Sequence, residues 1–551
     1  MAKSPAVLAP LSAVGASFLA TAQIVGGMGV LFGRIASRAA RFDFDYSELI
    51  KNMYKMGVKS LPIVVVTALF TGGIMIIQAA PIVERYGAQG LLGWAAGFTT
   101  LREIGPLLTA LMLSGRVGAN NTAELGTMVV TEQIDALRAL SIDPISFLIV
   151  PRFIAMVTTI FLSTIFSDAL ALFGAAYAGY GVLGVEPQIF YNGIVSGLLD
   201  VGDVFHGLAK SIVFGAIMAL ASCQFGIATS GGAPGVGRAV NATVVVSAAG
   251  MFVPDYPYPS RSGETRMTAS NSSAPMGPSS AVGHIEEDDF PTEPRGIAAV
   301  GAAVIDLVGS AKAQYSVFVQ TLYYTFRGQR RPGAILQQCY EIGNRSLVFL
   351  CIVMGFMGMI LTYQAGIQVK RAVPDVTLLG ATFLELIVRD IAASICALML
   401  ATRVGAGIAA EIGSMVVTEQ VDALRMTAAD PIDYLIKPRF VASTIMTIMC
   451  VVIAGGVSIL TGMWTGKMFF GISAQTFINW SLVDWGDVIV GVTKCFAYGA
   501  AIPVVSGYCG LSTYGGSEGV GWATTRAVVN SSLAVIILNF FISGAGYLIF
   551  G

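Results

Sequence analysis

The chain has 551 residues, of which 55% are hydrophobic and only 12% charged, with a net charge of -1 and a mean hydropathy of +0.74. Soluble domains carry about 25% charged residues, so this composition excludes an ordinary soluble fold and points to an all-α polytopic membrane protein. The near-zero charge supplies no basic field for nucleic acid. Seven cysteines (Cys223, Cys339, Cys351, Cys396, Cys450, Cys495 and Cys509) form no CxxC pair, and most lie in apolar runs, where they behave as small hydrophobes. With only His206 and His284, a histidine metal site is not expected. No nucleophile–base set and no cleavable signal peptide are apparent, so no catalytic residue is assigned.

In chain order, Val7–Phe32 is apolar, rich in small residues and followed by Arg34, Arg38 and Arg41; it reads as a helix lying in the membrane interface, although it is long enough to span. Phe42–Lys59 reads as a helix of mixed polarity, and Ser60–Ala80 as the first span. Leu91–Leu113 is a second span, interrupted by Arg102-Glu103 and Gly105-Pro106. A polar island follows, then Ile145–Tyr180, a mixed loop, Leu208–Gly226, a Gly-rich turn and Ala239–Val253. Residues 254–295 are rich in Pro and Ser with an acidic cluster, the composition of a disordered linker. Met267 within it resembles the start of a second protein. From 296 the order repeats: Gly296–Phe326, Arg345–Gln368, Leu378–Thr402, a second island, Ile432–Gly466, Val488–Gly507 and Ala527–Phe550. The expected domains are therefore a unit at 1–253, the linker 254–295 and a homologous unit at 296–551, a duplication rather than a repeat array.

The islands are the clearest mark of the duplication. Arg116–Arg152 and Arg403–Arg439 align without a gap at an offset of 287, with 24 of 37 positions identical. A helical period puts Val130, Ile134 and Leu137 on one face and Thr131, Glu132 and Asp135 on the other. The second copy sets Val417, Val421 and Leu424 against Thr418, Glu419 and Asp422. Arg138 and Arg425 end the helix, and Asp143-Pro144 and Asp430-Pro431 disfavour helix before the next span. The pattern predicts a short amphipathic helix on the membrane surface. Lys/Arg excess at Arg152, Lys437 and Arg439 places both islands on the cytoplasmic side. A solvated loop accounts for one copy; TEQ-x-DALR kept in two copies favours a docking surface.

Charges inside spans are the second signal. A charge at a span centre costs about 2.5–3.5 kcal/mol on insertion scales and normally faces a partner or a wet cavity. Arg102, Glu103 and Lys210, and Arg389, Asp390 and Lys494 meet that description, with internal pairing, of Arg102 with Glu103 or with a neighbouring span, as the plain alternative and span-end snorkelling as the alternative for both lysines. No G-x-x-x-x-G-K-[ST] occurs, and the Gly-rich loops Gly231–Gly237 and Gly515–Gly521 lack the lysine of a phosphate cradle, so they read as turns.

On these residues the chain resembles the MlaE/YrbE family, the permease subunits of MCE-type ABC lipid transporters. LREIGPLLTALMLSGRVGANNTAELGTMVVTEQIDAL, the DP and VPR that follow, and GVGWATTRAVVNSSLAVIILNFF near the C-terminus carry the likeness, with Asp390 standing for Glu103 and Thr402 for Gly115 in the second copy. The resemblance implies five spans per unit after an interfacial helix, two units pairing as a pseudo-dimer, and residence in the bacterial inner membrane. It implies an ATPase docked on a cytoplasmic coupling helix, here Thr131–Arg138 and Thr418–Arg425, and a periplasmic MCE-domain protein that exchanges phospholipid or a similar lipid. It also places the six intramembrane charges near the lipid path. No cofactor is expected on this chain, ATP and Mg belonging to the partner.

An odd span count would invert the second unit and separate the islands. Val240–Val253, at 14 residues and about 21 Å, is short for a core of about 30 Å; alternatively Gly296–Phe326 crosses back, or the two units are separate proteins joined here. Two other functional classes stay open: an ion-coupled secondary transporter with inverted repeats, which would put the islands on opposite sides, and a membrane scaffold that transports nothing.

Overall fold

The computed structural model describes residues 8–87, 89–255, 297–328, 332–372 and 377–550, and among these residues only helices and their connections occur. The expected linker falls almost entirely on residues 256–296, outside the described residues.

In the first unit α1 (Leu8–Ala40) leads to α2 (Tyr46–Met56), capped by the Asp45 side chain on two backbone N–H groups. The first span is α3 (Leu61–Tyr86). The second is a chain of helical pieces: α4 (Leu92–Thr99), a π-turn at Thr100–Ile104, α5 (Gly105–Leu113), a π-turn at Ser114–Gly118, and α6 (Ala119–Val130). Then come α7 (Gln133–Ala139), α8 (Val150–Leu183), α9 (Pro187–Ile194), α10 (Val201–Ile227) and α11 (Gly232–Asp255). In the second unit α12 (Ile297–Arg327), α13 (Pro332–Cys339) and α14 (Arg345–Ala372) precede α15 (Leu379–Leu386), α16 (Ala392–Leu400) and α17 (Ala406–Val417). The chain closes with α18 (Gln420–Met426), α19 (Lys437–Phe470), α20 (Ala474–Phe477), α21 (Trp485–Leu511) and α22 (Ser517–Phe550).

Eight helices among the described residues are long and apolar enough to cross a membrane. The expected second span of each unit is not among them; it is broken twice by π-turns, at Thr100–Ile104 and Ser114–Gly118 in the first unit and at Ile387–Ile391 and Ala401–Gly405 in the second. Proline is not the cause, because Gly105-Pro106 is matched by Ala392-Ala393 and the π-turn persists. Each such turn inserts a residue into the helical ladder and redirects the side chains it carries, here Arg102-Glu103 and Arg389-Asp390.

Within each unit the first span packs closely on the third. A Cβ at Gly72 would stand 1.9 Å from the Ala171 carbonyl oxygen, and one at Gly358 would stand 2.2 Å from that of Ser458. In lipid, where burial of apolar surface between helices brings no gain over lipid contact, such small-residue approaches are what hold spans together. Between units the contacts are reciprocal: α22 lies on α3 and α6, and α11 on α14 and α17.

That reciprocity fixes the relative direction of the units. A Cβ at Gly521, near the start of α22, would lie 2.7 Å from Ala123 Cβ in α6, within the first island, while Gly519 lies beside Thr513, which also borders Gly413 within the second. At its other end α22 meets the last turns of α3, where Gln78 donates to Ser543 Oγ at 3.3 Å and Tyr547 donates to Glu84 at 2.6 Å. Both islands therefore lie at one end of the bundle. Helix α11 carries the chain away from that end as far as Lys210, and α12 is back at it by Tyr324, whose hydroxyl donates to Asp430 at 2.7 Å.

Candidate functional site

Two features repeat in both units: a charged cluster toward the end of the bundle away from the islands and a short helix at the island end. The charged cluster begins at the π-turns. Glu103 pairs with Lys210 from α10, and Lys210 pairs with Asp255 at 2.6 Å. Asp390 pairs with Lys494 from α21 and accepts from Ser394 Oγ at 2.9 Å. Arg102 and Arg389 turn the other way, to Asp203 at 2.5 Å and Asp487 at 3.6 Å. Arg102 thus pairs with a neighbouring span rather than with Glu103, because adjacent helical residues point about 100° apart. Nor do the lysines snorkel: Lys494 is fully buried and the Lys210 side chain is 10% exposed.

The partners Asp203 and Asp487 were legible in a signal that composition hides. Each stands seven residues before the lysine, Asp203/Lys210 and Asp487/Lys494, a two-turn spacing that sets both on one helical face. Each also closes the capping box of its helix with Asp200 or Asp484. Partners from the other unit have no such signal. Arg371 of α14 reaches across to Asp203 at 2.8 Å, both guanidinium groups stand over the Phe98 ring, and Gln364 donates to Glu103 at 2.9 Å.

Between the units lies a cavity of about 320 Å³ with mostly apolar walls, and Glu103, Gln364, Asp390 and Asn539 are among its polar lining residues. A largely apolar chamber with a few converging polar groups is the usual form of a small-molecule site.

At the island end the amphipathic helix is shorter than the periodicity suggests. Helix α6 stops at Val130, and Glu132 takes a left-handed conformation (φ 59°) before α7 begins; Glu419 does the same (φ 59°) before α18. Val130 and Val417 accordingly belong to the preceding helices. Ile134 and Val421 are buried, Leu137 and Leu424 half-buried, and Thr131, Glu132, Thr418 and Glu419 exposed. Asp135 and Asp422 pair with Arg138 and Arg425 at 2.9 and 3.0 Å on the exposed face. Beneath, buried Arg152 binds Glu124 at 3.0 Å and Arg439 binds Glu411 at 2.8 Å, tying α8 to α6 and α19 to α17.

The fold and these paired features define a duplicated, multi-pass membrane protein with an inter-unit chamber and two like surface helices at one end, the plan of a transporter permease. The family described as permease MlaE matches residues 49–258 and again 335–545, and the chain belongs to it, with two family units in one polypeptide. A Synechocystis sp. protein named "Probable ABC transporter permease protein" is 36% identical over 241 residues, which cover 44% of this chain and 87% of that protein. One of the same name from Rickettsia felis is 34% identical over 245 residues, 44% of this chain and 94% of its own length. The chloroplastic protein TRIGALACTOSYLDIACYLGLYCEROL 1 of Arabidopsis thaliana is 32% identical over 227 residues, 41% of this chain and 65% of its own. Each thus corresponds to one of the two units. The chain is the permease component of an ABC transporter.

Proposed function

We propose that the chain moves phospholipid or a similar lipid between the bacterial inner membrane and a periplasmic MCE-domain protein, powered by ATPase subunits docked on its two surface helices. The observation that carries this reading is the chamber between the units, apolar enough for acyl chains and bordered by Glu103 and Asp390 from matching π-turns. The name of the Arabidopsis relative points the same way.

In this reading ATP and Mg stay on the ATPase, and this chain converts its movement. Thr131, Glu132, Asp135 and Arg138, with Thr418, Glu419, Asp422 and Arg425, form the docking faces. The pairs of buried Arg152 with Glu124 and of buried Arg439 with Glu411 pass a displacement of α7 or α18 into the third span and the π-turn helix beside it. Glu103 and Asp390 line the lipid path, Lys210 and Lys494 pair with them, and Arg102 and Arg389 stand one residue before them on the same π-turns. With both islands at one end of the bundle, one pair of ATPases can engage both, an arrangement that inverted repeats would not permit.

The test is co-purification of the ATPase with a chain carrying both Glu132→Lys and Glu419→Lys. Association is expected to be lost, and unchanged association would refute the docking assignment. Proteoliposomes holding the full complex and showing no lipid movement on ATP addition would refute the transport reading itself.

A further inference from the structure

A second cavity, of about 600 Å³, opens at the island end between α1 and α7. Its walls are apolar at Leu31, Leu125, Ile134 and Leu148, and two basic residues, Arg34 of α1 and Arg138 of α7, line it. The start of the third span, Ile145–Ile149, also borders it, so the groove sits at the level of the bilayer surface. We propose that this groove binds an anionic phospholipid of the adjoining leaflet, its phosphate between Arg34 and Arg138 and an acyl chain along Leu31, Leu125 and Ile134.

The charges decide the occupant. Asp143, the acid that lines the groove, is engaged by Arg38 at 3.1 Å, and Asp43 also pairs with Arg38. Arg138 pairs only with Asp135 of its own helix, on an exposed face, and Arg34 has no carboxylate partner among the described residues. Among the residues that line the groove itself, two arginines thus meet one aspartate beside an apolar trough at the membrane surface. Basic pockets between helices on the cytoplasmic side are the kind of place where anionic headgroups settle.

The second unit differs at the basic residue. Tyr324 holds Asp430 as Arg38 holds Asp143, and one turn before Tyr324 stands Gln320 where the first unit has Arg34. Helix α1 supplies one wall of the groove from outside the matched family region, and the other walls lie within it. A lipid seated there touches Ile134 and Arg138 and so bears directly on the first surface helix.

The test uses the full chain in nanodiscs of phosphatidylcholine with a minor share of phosphatidylglycerol, each lipid spin-labelled in turn, reading the motionally restricted fraction. The wild-type chain is expected to hold phosphatidylglycerol preferentially, Arg34→Gln to reduce that preference about fivefold, equivalent to about 1 kcal/mol for one basic residue, and Arg34→Lys to keep it. Should Arg34→Gln not fold, high salt on the wild-type chain gives the same comparison. Equal restriction of the two lipids, or a preference indifferent to both Arg34→Gln and salt, would overturn the proposal. So would its abolition by millimolar inorganic phosphate, which would mark a site for a free anion.

Discussion

Replacing Lys494 with methionine keeps the length of the side chain and removes its charge, leaving Asp390 as a carboxylate beside an apolar chamber. Lys494 is 0% exposed and Asp390 7%, so water contributes little screening to the pair. Two unit charges about 4 Å apart at an effective dielectric of about 20 attract by about 4 kcal/mol, and removing one member of a buried pair costs about 3–5 kcal/mol. Ser394 still donates to Asp390, which sets the expectation for Lys494→Met near the lower figure. The double variant Lys494→Met with Asp390→Asn is expected to recover most of the loss, because no charge is then left unpaired. The assay is the free energy of unfolding in mixed micelles titrated with sodium dodecyl sulfate, run as a double-mutant cycle. A loss below about 1 kcal/mol for Lys494→Met, or no recovery in the double variant, would show that chamber water solvates Asp390 and refute the reasoning. If the pair borders the lipid path, the double variant folds but transports poorly in the reconstituted complex.

Two further outcomes follow from the geometry. Gly72→Val is expected to destabilise by about 1–3 kcal/mol or to block assembly, since even a Cβ there meets the Ala171 carbonyl; Val at Gly456, where a Cβ meets nothing within 4 Å, is the tolerated control in the same micelle titration. At Glu132, Gly is expected to be accepted by the left-handed turn while Ile costs about 1–2 kcal/mol more than Gly, and equal stability of the two variants would refute the assigned backbone.

The parts of the fold visible in the chain were those written as local pattern. Uncharged runs marked the spans, Asp-Pro marked the end of each island, and the repeated TEQ-x-DALR marked the duplication. The π-turns were not visible, because Thr100–Ile104 has the composition of any charged helical turn and the matching segment reaches the same backbone without proline. The left-handed Glu132 and Glu419 were hidden for a related reason: Gly or Asn is the usual signal for that conformation, and here glutamate holds it between two packed helices. The six intramembrane charges could be picked out one by one, since charge in a span is costly wherever it falls. Their pairing could not, apart from the seven-residue spacing of Asp203 to Lys210 and Asp487 to Lys494.

The sequence by itself determined a duplicated helical membrane protein, with its spans, its islands and its charged positions, because hydropathy and periodicity are properties of short segments that lipid and water sort directly. Only the tertiary structure decided that both islands share one end of the bundle, that Arg371 and Gln364 of one unit complete the charged cluster of the other, and that the chamber lies between them. Those facts depend on how helices far apart in the chain pack, and in a bilayer that packing is set by close backbone approach and buried pairs, which leave no periodic trace.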